Sequence, residues 1–297
     1  MINCFLKNKR WFLYVLYGVA LTAFLLYFCF PSDALNEYIQ SRANNLNTSL
    51  YFSVERAKPW LPIGLRLWGT EVSTKNRPRV KLFKADSTLI RPDLWSFLRG
   101  EGRYRFKSLA YGGDIKGFVF IEEDGFPENF DTRIEFENIK VGAHKYLKEL
   151  LGRQIDGTLG GYVNYKGSDK GIMDGAGEAS LQLSEGRLEL ALPFLSMESV
   201  DFEDVIIDMY LKDRRVDFKR FELKGSLFTA TISGSLRLSN NLLRSAIDLK
   251  GTIELFSEFF KNNTGLEVMG LLRSRMNKGK ISFAVYGTLE APKYKII

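Results

Sequence analysis

The sequence predicts a mainly β protein, an N-terminal transmembrane helix followed by a long antiparallel β-sheet with a few short helices. Three observations carry this. Residues 11–30 (WFLYVLYGVALTAFLLYFCF) contain no charged side chain and no His, Asn or Gln. Beyond Val80, apolar and polar residues alternate in short runs, separated by Gly, Asp, Asn or Pro at intervals of about 8–12 residues, the spacing of antiparallel strands. The 26 glycines, 8 prolines and 13% aromatic residues suit many strands joined by tight turns.

At about 1.5 Å per residue, a helix over residues 11–30 spans roughly 30 Å, the thickness of a bilayer's hydrocarbon core. Trp11 and Tyr27 stand near its ends, where amphipathic rings favour the interface. Lys7, Lys9 and Arg10 precede it, while Asp33 and Glu37 are the first charges after it. Positive charge stays inside, so residues 1–10 form a cytoplasmic stub and residues 31–297 lie across the membrane. A cleaved signal peptide would have a shorter apolar core and a small-x-small site before Pro31, and neither is present. Cys29 follows Tyr27 and Phe28 instead of small residues, which argues against a lipid attachment site.

Leu35, Tyr38, Ile39, Ala43 and Leu46 recur at three- and four-residue spacing and predict a short amphipathic helix, with Ser32 or Asp33 as its cap. Leu50–Val54 alternates, and the AKPWLPIGLRLWG segment breaks at Pro59 and Pro62 before resuming at Leu65 and Leu67. Strands are expected at Val80–Ile90, Tyr104–Tyr111, Ile115–Ile121 and Ile134–Ile139, with short helices at Pro92–Leu98 and Val141–Leu151. Gly152 is a natural stop for the second helix and a possible soft joint in the sheet. Further strands are expected at Gly157–Tyr165, Gly175–Leu183, Arg187–Leu192, Val205–Leu211, Val216–Leu223, Phe228–Leu238, Ser245–Leu255 and Lys280–Leu289. A last helix is expected within Leu255–Met276.

Net charge is +7, and three of those charges sit at Lys7, Lys9 and Arg10. Elsewhere Lys and Arg alternate with Asp and Glu, as on solvated strand faces, so no nucleic-acid partner is expected. Both cysteines, Cys4 and Cys29, precede Pro31, and the rest must fold without disulfides. No catalytic residue, cofactor or metal is expected. His144 has no second His or Cys to share a metal, no Gly-x-Ser-x-Gly elbow occurs, and Gly157, Gly160 and Gly161 lack the Lys-Ser/Thr of a phosphate loop. The acids Glu122, Glu123 and Asp124, and Asp201, Glu203 and Asp204, read as solvated turns.

The apolar stripe is the feature with functional promise. Phe228, Ala230, Ile232, Leu236 and Leu238 face one way, and Thr229, Thr231, Ser233, Ser235 and Arg237 the other. The oily face must be covered, either by closure into a barrel or sandwich, or by a ligand or partner in an open groove.

The chain also resembles the type II secretion protein GspN family, a branch of the AsmA-like proteins. The matching residues, beyond the single anchor, are Trp60–Leu65 leading to Leu67 and Gly69, Leu94–Leu98 ending at Gly100, Tyr111–Gly117, LLGRQIDGTLGG at Leu150–Gly161 followed by Gly175, Gly177 and Leu181, and the terminal Gly287–Pro292. The resemblance implies an inner-membrane protein with a curved, taco-like periplasmic β-groove. It implies a non-enzymatic component of a type II-like protein secretion pathway, with secretion-apparatus proteins as partners. The alternative is an AsmA-like module that binds or transports phospholipid between membranes, with acyl chains as the partner. On the groove reading, the lining is Val205, Ile207, Met209, Phe218, Leu223, Phe228, Ile232, Leu236, Leu249, Ile253, Phe283 and Val285.

Overall fold

A computed structural model describes residues 11–18, 20–22, 24–25, 31–46, 50–75, 77–97, 99, 102–121, 130–167, 173–194, 197–257, 259 and 279–297. Among them are fifteen strands: β1 (Leu50–Ser53), β2 (Arg56–Pro59), β3 (Leu65–Thr74), β4 (Arg77–Pro92), β5 (Gly102–Ala110), β6 (Gly113–Ile121), β7 (Phe130–Lys140), β8 (Ile155–Lys166), β9 (Ala176–Phe194), β10 (Met197–Lys212), β11 (Arg215–Gly225), β12 (Phe228–Arg237), β13 (Ala246–Leu255), β14 (Lys280–Thr288) and β15 (Pro292–Ile296). The helices are α1 (Ser32–Leu46), α2 (Leu94–Phe97) and α3 (Lys145–Leu151), with single 3₁₀ turns at Val141–Ala143 and Leu242–Arg244.

All fifteen strands belong to one open antiparallel sheet. From β3 to β15 each strand pairs with its neighbour in sequence, β1 pairs β3 at one edge, and β2 pairs β3 beside it. This order follows from the turn chemistry. Asp213 and Arg214, both at positive φ (47° and 64°), join β10 to β11 in the twist that a two-residue hairpin favours, and Tyr111 and Gly112 (52° and 76°) join β5 to β6 likewise. The pairing continues past Gly152, because β7 and β8 on either side of it are hydrogen-bonded neighbours.

Residues 11–18, 20–22 and 24–25 are helical, but among the described residues no helix is long and apolar enough to cross a membrane. The expected stub at 1–10 and part of the expected span at 11–30 lie outside the described residues, as does most of the expected helix at 255–276. Elsewhere the differences have local causes. The strands expected at Gly175–Leu183 and Arg187–Leu192 are one strand, β9, because Glu185 and Gly186 are absorbed as a bulge where Asp156 pairs Arg187 and Thr158 pairs Ser184. The expected helix at Val141–Leu151 is split at His144, whose non-helical backbone (φ −87°, ψ 88°) ends the 3₁₀ turn and whose side chain caps α3. β2 and β15 were obscured by Pro59 and Pro292, which sit where the ladder does not need their missing N–H.

Register separates the two faces. Val205 opposes Leu223, Leu223 opposes Ala230, Ala230 opposes Ile253 and Ile253 opposes Ile281, so one face is apolar from strand to strand. Its buried residues form three clusters: Val54, Ala57 and Leu67 beneath α1; Ala85, Ala110, Ile115 and Ile139 in the middle; and Val200, Phe228, Ile253, Phe259, Ile281 and Phe283 towards the far edge. The other face carries ion pairs such as Lys107–Asp114 (3.1 Å), Lys224–Glu203 (2.7 Å) and Lys280–Glu254 (3.3 Å). At their exposure each adds little to stability, and together they keep that face wet.

Candidate functional site

The apolar face lines a partly open cavity of about 680 Å³ in the first half of the sheet. Its wall draws on seven strands, with Phe52 from β1, Leu67 and Val72 from β3, Phe83 and Ile90 from β4, Phe106 from β5, Ile115, Val119 and Ile121 from β6, Ile134, Phe136 and Ile139 from β7, and Leu159 from β8. Among the described residues no Asp, Glu, Lys or Arg lines it. From Ile115 to Ile121 the wall follows β6 for six residues, about 20 Å at the rise of a strand. The volume falls within the roughly 300–1,000 Å³ that small-molecule sites span.

One end of the cavity has a cap. The β7–β8 connection is a 3₁₀ turn followed by α3, where a tight turn would suffice, and Val141, His144 and Leu147 from it line the cavity. α3 packs against β4, four strands away from β8 along the sheet. Two contacts fix it. The Leu147 N–H donates to His144 Nδ1 at 3.3 Å, and the His144 ring lies 4.7 Å from the Tyr111 ring. Tyr111 is itself held by the Lys84 N–H, which donates to its hydroxyl oxygen at 2.8 Å. Burial pushes the Tyr111 phenol above its ordinary value, and that backbone hydrogen bond partly offsets the shift.

Three small hydroxyl side chains in the wall, Thr70, Thr88 and Ser108, are buried. Thr88 Oγ1 and Ser108 Oγ lie 2.9 Å apart on paired positions of β4 and β5, and Thr70 stands on β3 with its hydroxyl oxygen buried and unpartnered.

None of the twelve residues expected to line a groove borders this cavity. Register places all twelve on the same apolar face, in the second half of the sheet. Val205, Phe228, Ile253 and Phe283 are buried, and Leu223, Ile232 and Val285 pack against the cluster that contains the last three. Ile207, Met209, Phe218, Leu236 and Leu249 are half-buried. Ile232 and Phe283 also border a hollow of about 450 Å³ whose other walls include Lys219, Arg220, Glu222 and Lys250. A larger hollow of about 950 Å³ mixes Arg103, Arg133 and Lys166 with Asp131, Glu178 and Asp217, so it has no consistent polarity to select a ligand.

The residues of the first-half cavity obey the same period of two, and the signal that marks them is the helical insertion between β7 and β8, which covers one end. Among the described residues no group of three or more His, Cys, Asp or Glu is placed to hold a metal. Asp201 is paired with Arg187, which holds its carboxyl below the usual range, Glu203 with Lys224, and Asp204 accepts from Gln182 and Ser184. Glu122, Glu123 and Asp124 lie outside the described residues.

No family model, no curated protein and no solved structure matches this chain.

Proposed function

We propose that this chain is a membrane-anchored module that holds aliphatic chains in a groove formed where the first half of the sheet curls upon itself. One observation carries the reading: a cavity of about 680 Å³ takes its wall from seven strands, and no Asp, Glu, Lys or Arg is among the described residues that line it. Laid flat, β1 and β8 would stand about 29 Å apart, six strand spacings, so a single space touched by Phe52 and Leu159 calls for strong curvature. Each methylene buried against such walls contributes about 0.8 kcal/mol, enough for a chain of ordinary length to be retained without a charged anchor.

The anchor is residues 11–30. Its described helical part leaves large apolar side chains exposed, Trp11 at 68% and Tyr14 at 74%, and a bilayer is the solvent that would cover them. Lys7, Lys9 and Arg10 favour an N-terminus in the cytoplasm, and the resemblance to AsmA-like proteins favours a bacterial inner membrane with the sheet in the periplasm. A role in type II-like secretion, with an apolar segment of another protein in the same groove, rests on the resemblance alone.

The test is native mass spectrometry with lipid extraction on the full chain released in mild detergent. About one aliphatic lipid per chain is expected, and Phe136→Asp, which puts a charge into the wall, should release it. A folded wild-type chain that retains no lipid and takes up no fluorescent long-chain fatty ester overturns the reading.

A further inference from the structure

We infer that the ligand of the cavity carries a neutral carbonyl, as an acyl ester does, and that this carbonyl accepts a hydrogen bond from the Thr88–Ser108 hydroxyl pair. The inference rests on the aliphatic-chain reading above and adds the chemistry of the chain's polar group.

Proton accounting leads to it. Thr88 and Ser108 are 8% and 4% exposed, and their hydroxyl oxygens lie 2.9 Å apart. Each hydroxyl brings one proton. The contact between them uses one, because only one of the two can donate to the other, and among the described residues no acceptor is placed for the second proton. Thr70, 4% exposed on the adjacent strand, adds a third hydroxyl in the same wall, with no partner for its oxygen among the described residues. An unsatisfied buried donor is destabilising, and Val or Ala would fill these positions without that penalty and with no loss of strand preference for Val. Hydroxyls in a wall otherwise built of Leu, Ile, Val and aromatic residues are therefore explained by a ligand that brings an acceptor to them.

The position and the charge of that acceptor follow from the same wall. Ser108 is one inward-facing position from Ala110, beside the capped end, and two from Tyr104 at the other end. At about 3.3 Å per residue these distances are roughly 7 and 13 Å, so the carbonyl sits part-way along the cavity with aliphatic chain on either side. A carboxylate at this depth would be a buried anion with no Lys or Arg among the described lining residues to pair it. His144, a basic side chain in the wall, turns Nδ1 to the Leu147 N–H. An ester meets the free hydroxyl proton and brings no charge.

The experiment compares a long-chain methyl ester, the alkane of equal length and the free acid as competitors of a fluorescent fatty-ester probe on the full chain in detergent, at a pH where the acid is ionised. Wild type and the near-isosteric double variant Thr88→Val/Ser108→Ala are measured side by side, so partitioning into micelles cancels. The ester-to-alkane affinity ratio should fall about three- to tenfold in the double variant, the worth of one hydrogen bond, with alkane binding retained. Thr88→Ser keeps both hydroxyls and should keep the wild-type ratio, which serves if the double variant does not fold. An unchanged ratio in the folded double variant, a collapsed ratio in Thr88→Ser, or tighter binding of the free acid than of the ester in wild type overturns the ester site and leaves the aliphatic groove standing. Failure of wild type to bind any of the three overturns the groove itself.

Discussion

Asn44 of α1 grips Phe52 of β1 at both backbone groups: the Phe52 N–H donates to Asn44 Oδ1 at 2.8 Å, and Asn44 Nδ2 donates to the Phe52 carbonyl oxygen at 3.3 Å. A side-chain amide here does what a neighbouring strand would do for an edge. Gln40 repeats the contact on the Val54 carbonyl oxygen at 3.0 Å, and Asn36 on that of Glu55 at 3.4 Å. Positions 36, 40 and 44 are four apart, which puts their amides on one stripe of the helix. Bare sheet edges invite pairing with other chains, and this stripe covers the first one. Asn44→Ala removes two hydrogen bonds and should destabilise the fold by about 1–3 kcal/mol. Amide hydrogen exchange at Phe52 checks it: the rate should rise well above that of Thr70 in the adjacent strand, and an unchanged rate would show that the amide contact is not what protects the edge.

The sheet itself was legible in the sequence because period-two alternation and turn residues are local signals. The amide stripe was not, since Asn36, Gln40 and Asn44 read as the polar face of an amphipathic helix until β1 stands beside them. The cavity was half legible. Its face was evident, but alternation is equal in both halves of the sheet, and what selects the first half is the packing of α3 onto β4 across a long sequence separation. Gly117, Gly186 and Gly251 each take a Phe ring from the paired strand, a relation that only register reveals.

Gly117 and Phe106 show what that relation requires. They are paired across β5 and β6, and a Cβ added at Gly117 would stand 2.9 Å from the tip of the Phe106 ring and would also collide with the Arg133 carbonyl oxygen. Gly117→Ala should therefore lower stability by about 1–3 kcal/mol, the usual penalty of overpacking. Phe106→Leu in the same chain should recover part of the loss by withdrawing the ring. Denaturant unfolding of the two variants decides this, and full additivity of the two losses would mean that the ring is not seated on the glycine.

Tyr111 makes stability fall at alkaline pH. Burial raises its pKa above the ordinary 10.0, so between pH 10.0 and the folded value the unfolded chain has released a proton that the native chain still holds. With fewer protons bound in the unfolded state, unfolding becomes easier as pH rises through that window, and the contribution is fully present below it. Tyr165 is shifted the same way, again mainly by burial, and shares in the effect. Tyr111→Phe should be less stable than wild type at neutral pH, because the Lys84 N–H loses its acceptor, and should show a shallower alkaline decline. Equal slopes in thermal unfolding on either side of pH 10 would remove Tyr111 from the account.

On the aliphatic-chain proposal, the cap should set the length of chain the cavity accepts. Leu147 reaches the cavity from α3, a helix held at its start by His144 and stopped by Gly152 in the left-handed conformation (φ 65°). Because the helix is fixed at both ends, a larger side chain at position 147 has to take its room from the cavity. Leu147→Trp should leave the sheet intact and shorten the longest well-bound fatty ester by about two to three methylenes. At about 0.8 kcal/mol per buried methylene, each carbon that no longer fits forfeits roughly a fourfold gain in affinity. A plot of affinity against chain length should rise with the wild-type slope for short esters and level off earlier in the variant. A parallel drop at every length would instead mean that the substitution has loosened the whole wall, and an unchanged plateau would place the end of the ligand away from α3.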